Sequence, residues 1–267
     1  MKILQIASGS KGNSTYIESG NTKILIDCGI SKKRIHESLS EYNHNIEDLD
    51  AILITHEHTD HTSGIIPLFN ATNAKFYMTE GTYSNLNQKT RDAIRYVDRL
   101  EFINNQQIFK IGDLIIETIQ IFHDAIDPVG FIIRDNKTKL VYITDTGYIH
   151  KAYVPRLMDA NIYIMESNHD PEILMNSNRP YETKMRILSD HGHLSNEDSA
   201  YIMSELLGPN TKYVLLAHIS EECNLEEIAL DTYKKVFNKT NKSLQNAKLI
   251  CCSQKPLKEI ELWKLQL

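Results

Sequence analysis

Four layers, two mixed sheets packed face to face with helices outside, make up the α+β architecture that this sequence predicts. Two observations carry the prediction. Short β-rich runs cluster in both halves of the chain, each cluster accompanied by helical segments, which suits an αββα sandwich better than a doubly wound parallel sheet. No repeat, low-complexity tract or Pro/Gly linker divides the 267 residues, so 1–267 reads as one domain. A chain this long buries roughly three quarters of its unfolded surface and needs no disulfide to hold a core.

The elements follow in order. Residues 2–7, 15–18 and 23–27 are β-rich runs split by Gly/Ser/Asn turns, the pattern of a meander. Ser31 is placed to cap a helix to about Tyr42, with Ile35 and Leu39 on one face. Residues 51–55 form an apolar strand, 62–70 a short helix, and 75–78 a strand before a polar, helix-prone stretch to about Tyr96. Strand candidates at 107–110, 114–122, 130–134 and 139–144 come in close succession. The pattern then restarts, with a helix near 149–158, a strand at 161–166 and helices near 171–176 and 181–189. Ser195 caps an amphipathic helix to Leu207, with Glu197 near the capping-box position. A strand at 212–217, a helix at 225–238 and strands at 248–252 and 259–264 follow.

Composition narrows the function classes. With 41% hydrophobic and 24% charged residues, the chain is neither disordered nor fibrous. Its 29 basic against 35 acidic side chains exclude a broad polyanion-coating surface, but leave room for a local cationic site supplied by metal ions. The apolar run 3–7 is ended at once by the polar 8–14, and nothing approaches a spanning helix or a signal peptide. No membrane partner is expected, and the setting is expected to be cytoplasmic. Cys28, Cys223, Cys251 and Cys252 have neither zinc nor disulfide-framework spacing, and read as reduced, mostly buried thiols. Eleven histidines against a single Trp are the unusual feature.

Three of those histidines stand together just after the apolar strand 51–55, in His56-Glu57-His58-Thr59-Asp60-His61. Such nitrogen and oxygen donors suit Zn²⁺, Mn²⁺ or Fe²⁺ rather than Ca²⁺. Alternate residues of an extended segment share a side, so His56 and His58 can grip one ion while Asp60 and His61 turn toward a second. Unused, so many imidazoles would repel one another on protonation.

His-x-His-x-Asp-His after a strand resembles the signature of the metallo-β-lactamase superfamily, whose fold is the αββα sandwich. The resemblance implies a two-metal site completed by a later His, a bridging Asp and a final His at strand ends. His123, Asp145 and His218 stand at such positions. By this resemblance one ion takes His56, His58 and His123, the other takes Asp60, His61 and His218, and Asp145 bridges. Zinc or manganese is implied, with iron also compatible, and a metal-bridged hydroxide is the implied nucleophile.

Three further features point within the superfamily. His123 runs on to Gly130-Phe131, similar to the phosphodiesterase branch that includes tRNA 3′-processing nucleases and unlike the Gly-His-Thr-x-Gly of thioesterases. Glu166 ends a strand, and Gly192-His193-Leu194-Ser195 opens a helix. In that branch such a pair lies beside the metals, which implies His193 as general acid and Glu166 as its support. Ser8-Gly9-Ser10-Lys11-Gly12-Asn13-Ser14, Thr144-Asp145-Thr146-Gly147, Glu166-Ser167-Asn168, Arg186-Ile187-Leu188-Ser189 and Ala217-His218-Ile219-Ser220 together resemble the YycJ/WalJ group of compact bacterial DNA exonucleases.

The expected activity is therefore a dinuclear metal-dependent phosphodiesterase, a 5′ to 3′ DNA exonuclease with Asp60, His193 and Glu166 as catalytic residues. The alternatives are a phosphodiesterase acting on tRNA precursors or small cyclic phosphodiesters and, behind these, a thioesterase or lactonase. Candidate substrate contacts are Ser10, Lys11, Asn13, Lys184, Arg186 and Ser195, with Arg179 a further cation. His36 and His44 read as surface groups and His150 as a helix-start residue, while His169 and His191 flank the acid pair.

Overall fold

The computed structural model describes residues 1–95, 98–244 and 247–262. Its first half supplies β1 (Lys2–Ala7), β2 (Ser14–Ser19), β3 (Thr22–Ile26), β4 (Ala51–Leu53), β5 (Lys75–Met78) and β6 (Leu100–Phe102). The second supplies β7 (Ile108–Ile111), β8 (Leu114–Gln120), β9 (Val129–Arg134), β10 (Lys139–Ile143), β11 (Ile162–Glu166), β12 (Tyr213–Ala217), β13 (Lys248–Cys251) and β14 (Ile260–Glu261). The sheets run β14-β1-β2-β3-β4-β5-β6 and β13-β12-β11-β10-β9-β8-β7. In each, an antiparallel meander passes into parallel strands: β3 to β6 in the first, β10 to β13 in the second. Parallel neighbours need crossovers, and the helices supply them on the outer faces.

The layering follows from period-2 burial. Ile3, Ile17, Ile24 and Leu53 meet Ile116, Phe131, Tyr142, Ile164 and Leu215 between the sheets. The alternate residues Leu4, Tyr16, Leu25 and Ile52 pack outward under the helices of the first half. Val141, Tyr163, Met165 and Val214 do the same in the second. Both faces of each sheet are thus covered, which is why these strands read as near-continuous apolar runs.

The helices are α1 (Lys32–Ser40), α2 (Thr59–Thr62), α3 (Ile65–Ala71), α4 (Glu80–Asn85), α5 (Gln88–Ile94), α6 (Val154–Leu157), α7 (Pro171–Asn176), α8 (Tyr181–Ile187), α9 (Asn196–Leu206) and α10 (Glu226–Lys239). Several differ from expectation for local reasons. The 62–70 helix is two helices, because Gly64 turns its N–H to the Cys28 carbonyl at 2.7 Å. The stretch after 78 also divides, with Thr79 and Asn87 each capping a helix of its own. Its expected end at Tyr96, and the end of the 259–264 strand, lie outside the described residues. The three-residue strand β6 was too short and polar to read from sequence. Ser195 caps α9 by accepting from the Asp198 N–H at 3.1 Å, so Asp198, not Glu197, holds the third helical position.

His44 corrects another expectation. Rather than a surface group, it is 5% exposed and lies between Glu18 and Glu259, which come from β2 and the segment before β14. All four cysteines are free, and only Cys251 is more than slightly exposed. Among the described residues, no helix is long and apolar enough to cross a membrane.

Candidate metal centre and proton donor

The site forms at the carboxyl ends of the strands, where both sheets release their chains into loops. His56 and His58 follow β4, and Asp60 and His61 lie in α2. His123 follows β8, Asp145 follows β10, His218 follows β12, and Glu166 is the last residue of β11. Strands β3 and β4 are parallel, as are β10, β11 and β12, so these ends point one way and their polar termini converge. Asp27, Asp145 and His218 leave their strands in the left-handed conformation, with φ of 57°, 57° and 55°. Such turns cost a non-glycine residue about 1–2 kcal/mol each, and here they aim the side chains inward.

Among the described residues four overlapping groups result: His56, His58 and His123; Asp60, His61 and His218; His56, His61 and Asp145; and Asp145, Glu166, His193 and His218. Within each, one ligand-type atom per residue lies within 4.8 Å of the others. Asp145 stands between the halves, its Oδ2 3.4 Å from His61 Nε2 and its Oδ1 4.0 Å from His123 Nε2 and 3.3 Å from His218 Nδ1. His56 Nε2, His218 Nε2 and Asp145 Oδ2 are buried without a hydrogen-bond partner among the described residues. Each such orphan costs about 1–3 kcal/mol, and these are the donor types that take divalent transition metals. The residues fit such ions.

The supporting contacts set the ring tautomers. Asp27 accepts from His61 Nδ1 at 2.8 Å and from the Thr55 N–H at 2.8 Å, leaving His61 Nε2 for the cluster. His123 Nδ1 donates to the Gly192 carbonyl at 3.2 Å. Glu166 is fully engaged: Oε1 accepts from His193 Nδ1 at 2.8 Å and His218 Nδ1 at 3.0 Å, while Oε2 accepts from the Thr146 and Leu194 N–H groups. Both imidazoles therefore turn Nε2 away from Glu166.

Charge is balanced within the cluster. Burial opposes a proton on His61, but Asp27 and Asp145 outweigh it and push its pKa up to about 9. His218 is likewise raised, against burial, by Asp145, Asp60 and Glu166. Burial would raise Asp60 and Glu166, yet their histidine partners hold both well below the usual carboxylate range. His56 is driven down by burial and by the surrounding imidazoles, and His123 by burial. Divalent ions would replace the protons on His61 and His218.

The expected substrate contacts divide. Ser10 and Lys11 are exposed, and Lys11 pairs with Glu221. Arg186 pairs with Asp124, and Arg179 with Glu222. Asn13 is buried, its Nδ2 2.9 Å from His61 Nε2. Lys184 donates to the Met175 and Ser177 carbonyls at the end of α7, and Ser195 is the buried cap of α9. Four residues of the site were not among those expected from sequence: Asp27, Thr55, Asp124, which lies 3.1 Å from His123 Nε2, and Asn168, which donates to the His218 carbonyl. Asp27 ends a strand just as Asp145 does, and that position was the available signal.

Residues 22–219 match the model of the beta-lactamase superfamily domain. The chain is 39% identical to the exodeoxyribonuclease WalJ of Streptococcus pneumoniae over 84% of this chain and 83% of that one. It is 34% identical to the exodeoxyribonuclease YycJ of Bacillus anthracis over 87% of each. Its fold is similar to that of the metallo-β-lactamase fold protein YhfI of Bacillus subtilis, with a TM-score of 0.71 at 18% identity over 97% of this chain and 99% of that one. On the family match and these relatives, the chain belongs to the metallo-β-lactamase superfamily.

Proposed function

We propose that this hydrolase is a dinuclear metal-dependent exodeoxyribonuclease that shortens DNA from the 5′ end. The observation that carries the reading is Glu166 gripping both His218 and His193, which sets a proton donor against the histidine–aspartate cradle. The activity named for the relatives supports DNA as the substrate. His56, His58 and His123 would hold one ion and Asp60, His61 and His218 the other, with Asp145 within reach of both sets. Zinc or manganese suits this donor set, and iron fits it too.

When bound, two divalent ions would supply Lewis acidity, which makes a water more acidic and offsets charge on the phosphate oxygens. The rest is the chain's own work. Asp60, whose carboxylate would keep its charge beside an ion, accepts a hydrogen bond from the attacking water. His193 presents Nε2 to the leaving sugar oxygen and protonates it, while Glu166 fixes Nδ1–H and the orientation of the ring. Ser10, Lys11 and Arg186 contact the phosphate backbone, Lys11 and Arg186 by exchanging Glu221 and Asp124 for phosphate. Asn13, Lys184 and Ser195 use their polar atoms within the fold and serve the site by shaping it. The four free thiols support a cytoplasmic setting.

The test incubates metal-loaded protein with end-labelled single- and double-stranded DNA, precursor tRNA and cyclic nucleotides. Stepwise shortening of DNA from its 5′ end is the expected result. Selective 3′ trimming of tRNA, or turnover of cyclic nucleotides alone, would overturn it.

A further inference from the structure

Two aromatic rings stand at the rim of the site without belonging to any core. Phe122 and Tyr148 stack with ring centroids 4.2 Å apart and planes 23° apart. His191 meets Phe122 edge-on, at 6.3 Å. Phe122 and Tyr148 are half-buried and His191 is exposed. Among the described residues, neither ring of the stack falls in any of the hydrophobic clusters. A half-buried aromatic pair with no core to serve is an unusual use of large apolar surface.

The chain holds this pair in place through the site's own loops. Phe122 directly precedes His123, Tyr148 lies three residues after Asp145, and His191 two before His193. Thr146 ties them together: its Oγ1 accepts from the Phe122 N–H at 3.1 Å and donates to the Tyr148 carbonyl at 2.8 Å. The Gly147 N–H donates to the Phe122 carbonyl at 2.9 Å. A Cβ on Gly147 would overlap the carbonyl oxygens of Ser189 and Asp190, so only glycine lets the loop before His191 approach Tyr148 this closely. The same Thr146 N–H donates to Glu166, linking the stack to the support of the proton donor.

We propose that Phe122 and Tyr148, with His191 at their edge, form a base-stacking platform for the nucleotide on the His193 side of the scissile bond. The proposal rests on the nuclease reading and deepens it, by naming what the site recognises besides phosphate. Every nucleobase offers a π-face, so stacking is tolerant of sequence but demands an unpaired base. The platform therefore selects single-stranded or frayed ends.

The test compares end-labelled single-stranded oligodeoxynucleotides carrying a normal base or an abasic residue on either side of the first scissile bond. Metal content and thermal midpoint are checked for each variant. In wild type, the abasic residue on the His193 side raises KM about tenfold, within the range for one lost base stack, and on the other side it has little effect. Tyr148→Ala raises KM about as much on the normal substrate, leaves the abasic substrate unaffected, and is rescued by Tyr148→Phe. If Tyr148→Ala fails to load metal or fold, Tyr148→Leu, which keeps bulk without a π-face, gives the same comparison. Equal losses on normal and abasic substrates, or no loss on either, would overturn the platform alone. Wild-type protein that cleaves no DNA at all would overturn the nuclease reading and the platform with it.

Discussion

Asp27 accepts a hydrogen bond from His61 Nδ1 at 2.8 Å, and neither side chain touches solvent. A carboxylate in this position commits the imidazole to one tautomer and turns Nε2 toward Asp60 and Asp145. Asp27→Asn can present an amide donor instead, which would place the His61 proton on Nε2. Metal affinity is expected to fall about 10–100-fold, measured by titration of chelator-stripped protein. Unchanged affinity would show that Asp27 has no part in setting the ligand.

His193 and Glu166 should separate in their effects. His193→Ala is expected to keep its metal content but to lose about 10²–10⁴-fold on substrates with poor alkoxide leaving groups. A nitrophenyl phosphodiester, whose leaving group needs little protonation, should lose far less. Glu166→Gln should impair both classes, because Glu166 also holds the His218 ring. Equal losses for His193→Ala on both substrates would remove its acid role.

Gly29 is a steric rather than a conformational requirement. A Cβ there would overlap the carbonyl oxygen of Asp60 and crowd the His61 nitrogen. Because the Cys28 N–H donates to the His61 carbonyl at 2.9 Å, the loop cannot move away alone. Gly29→Ala should cost about 1–3 kcal/mol, as overpacking does, read from urea unfolding. It should weaken the Asp60–His61–His218 half of the site before the His56–His58–His123 half, seen as biphasic metal binding.

His169 predicts an acid-side loss of stability. Burial holds its pKa down, to about 4, and neither ring nitrogen has a hydrogen-bond partner among the described residues. A depressed folded-state value means that the neutral ring's contribution is complete above the unfolded value near 6.5. It is lost progressively as pH falls from there to about 4, below which both states carry the proton. In metal-free protein, His169→Phe should lose about 2 kcal/mol less than wild type between pH 7.5 and 4.5, by urea unfolding at each pH. Parallel pH profiles for the two proteins would refute this.

Most of the candidate cluster was legible before any fold was known, because ligand chemistry concentrates in residue type and position. His56 to His61 is dense enough in sequence to announce itself, and His123, Asp145 and His218 stand where apolar runs stop. The αββα layering was legible from the β-rich runs clustered in both halves of the chain, each cluster accompanied by helical segments. Helix limits such as the break at Gly64 were not, since they turn on one hydrogen bond to a distant carbonyl.

Contacts between parts of the chain far apart in sequence belonged to the tertiary structure alone. Asp27 and His61, Glu166 and His218, and Phe122 and Tyr148 become neighbours only when parallel strands bring their ends together. His44 shows the same limit from the other side, since a polar loop reads as surface until β2 and the segment before β14 close over it. Residue type and local period determine which elements form and which side chains carry chemistry. Which of those side chains share a proton, a charge or a stacked face is decided by strand order and register, because such interactions act over a few ångströms.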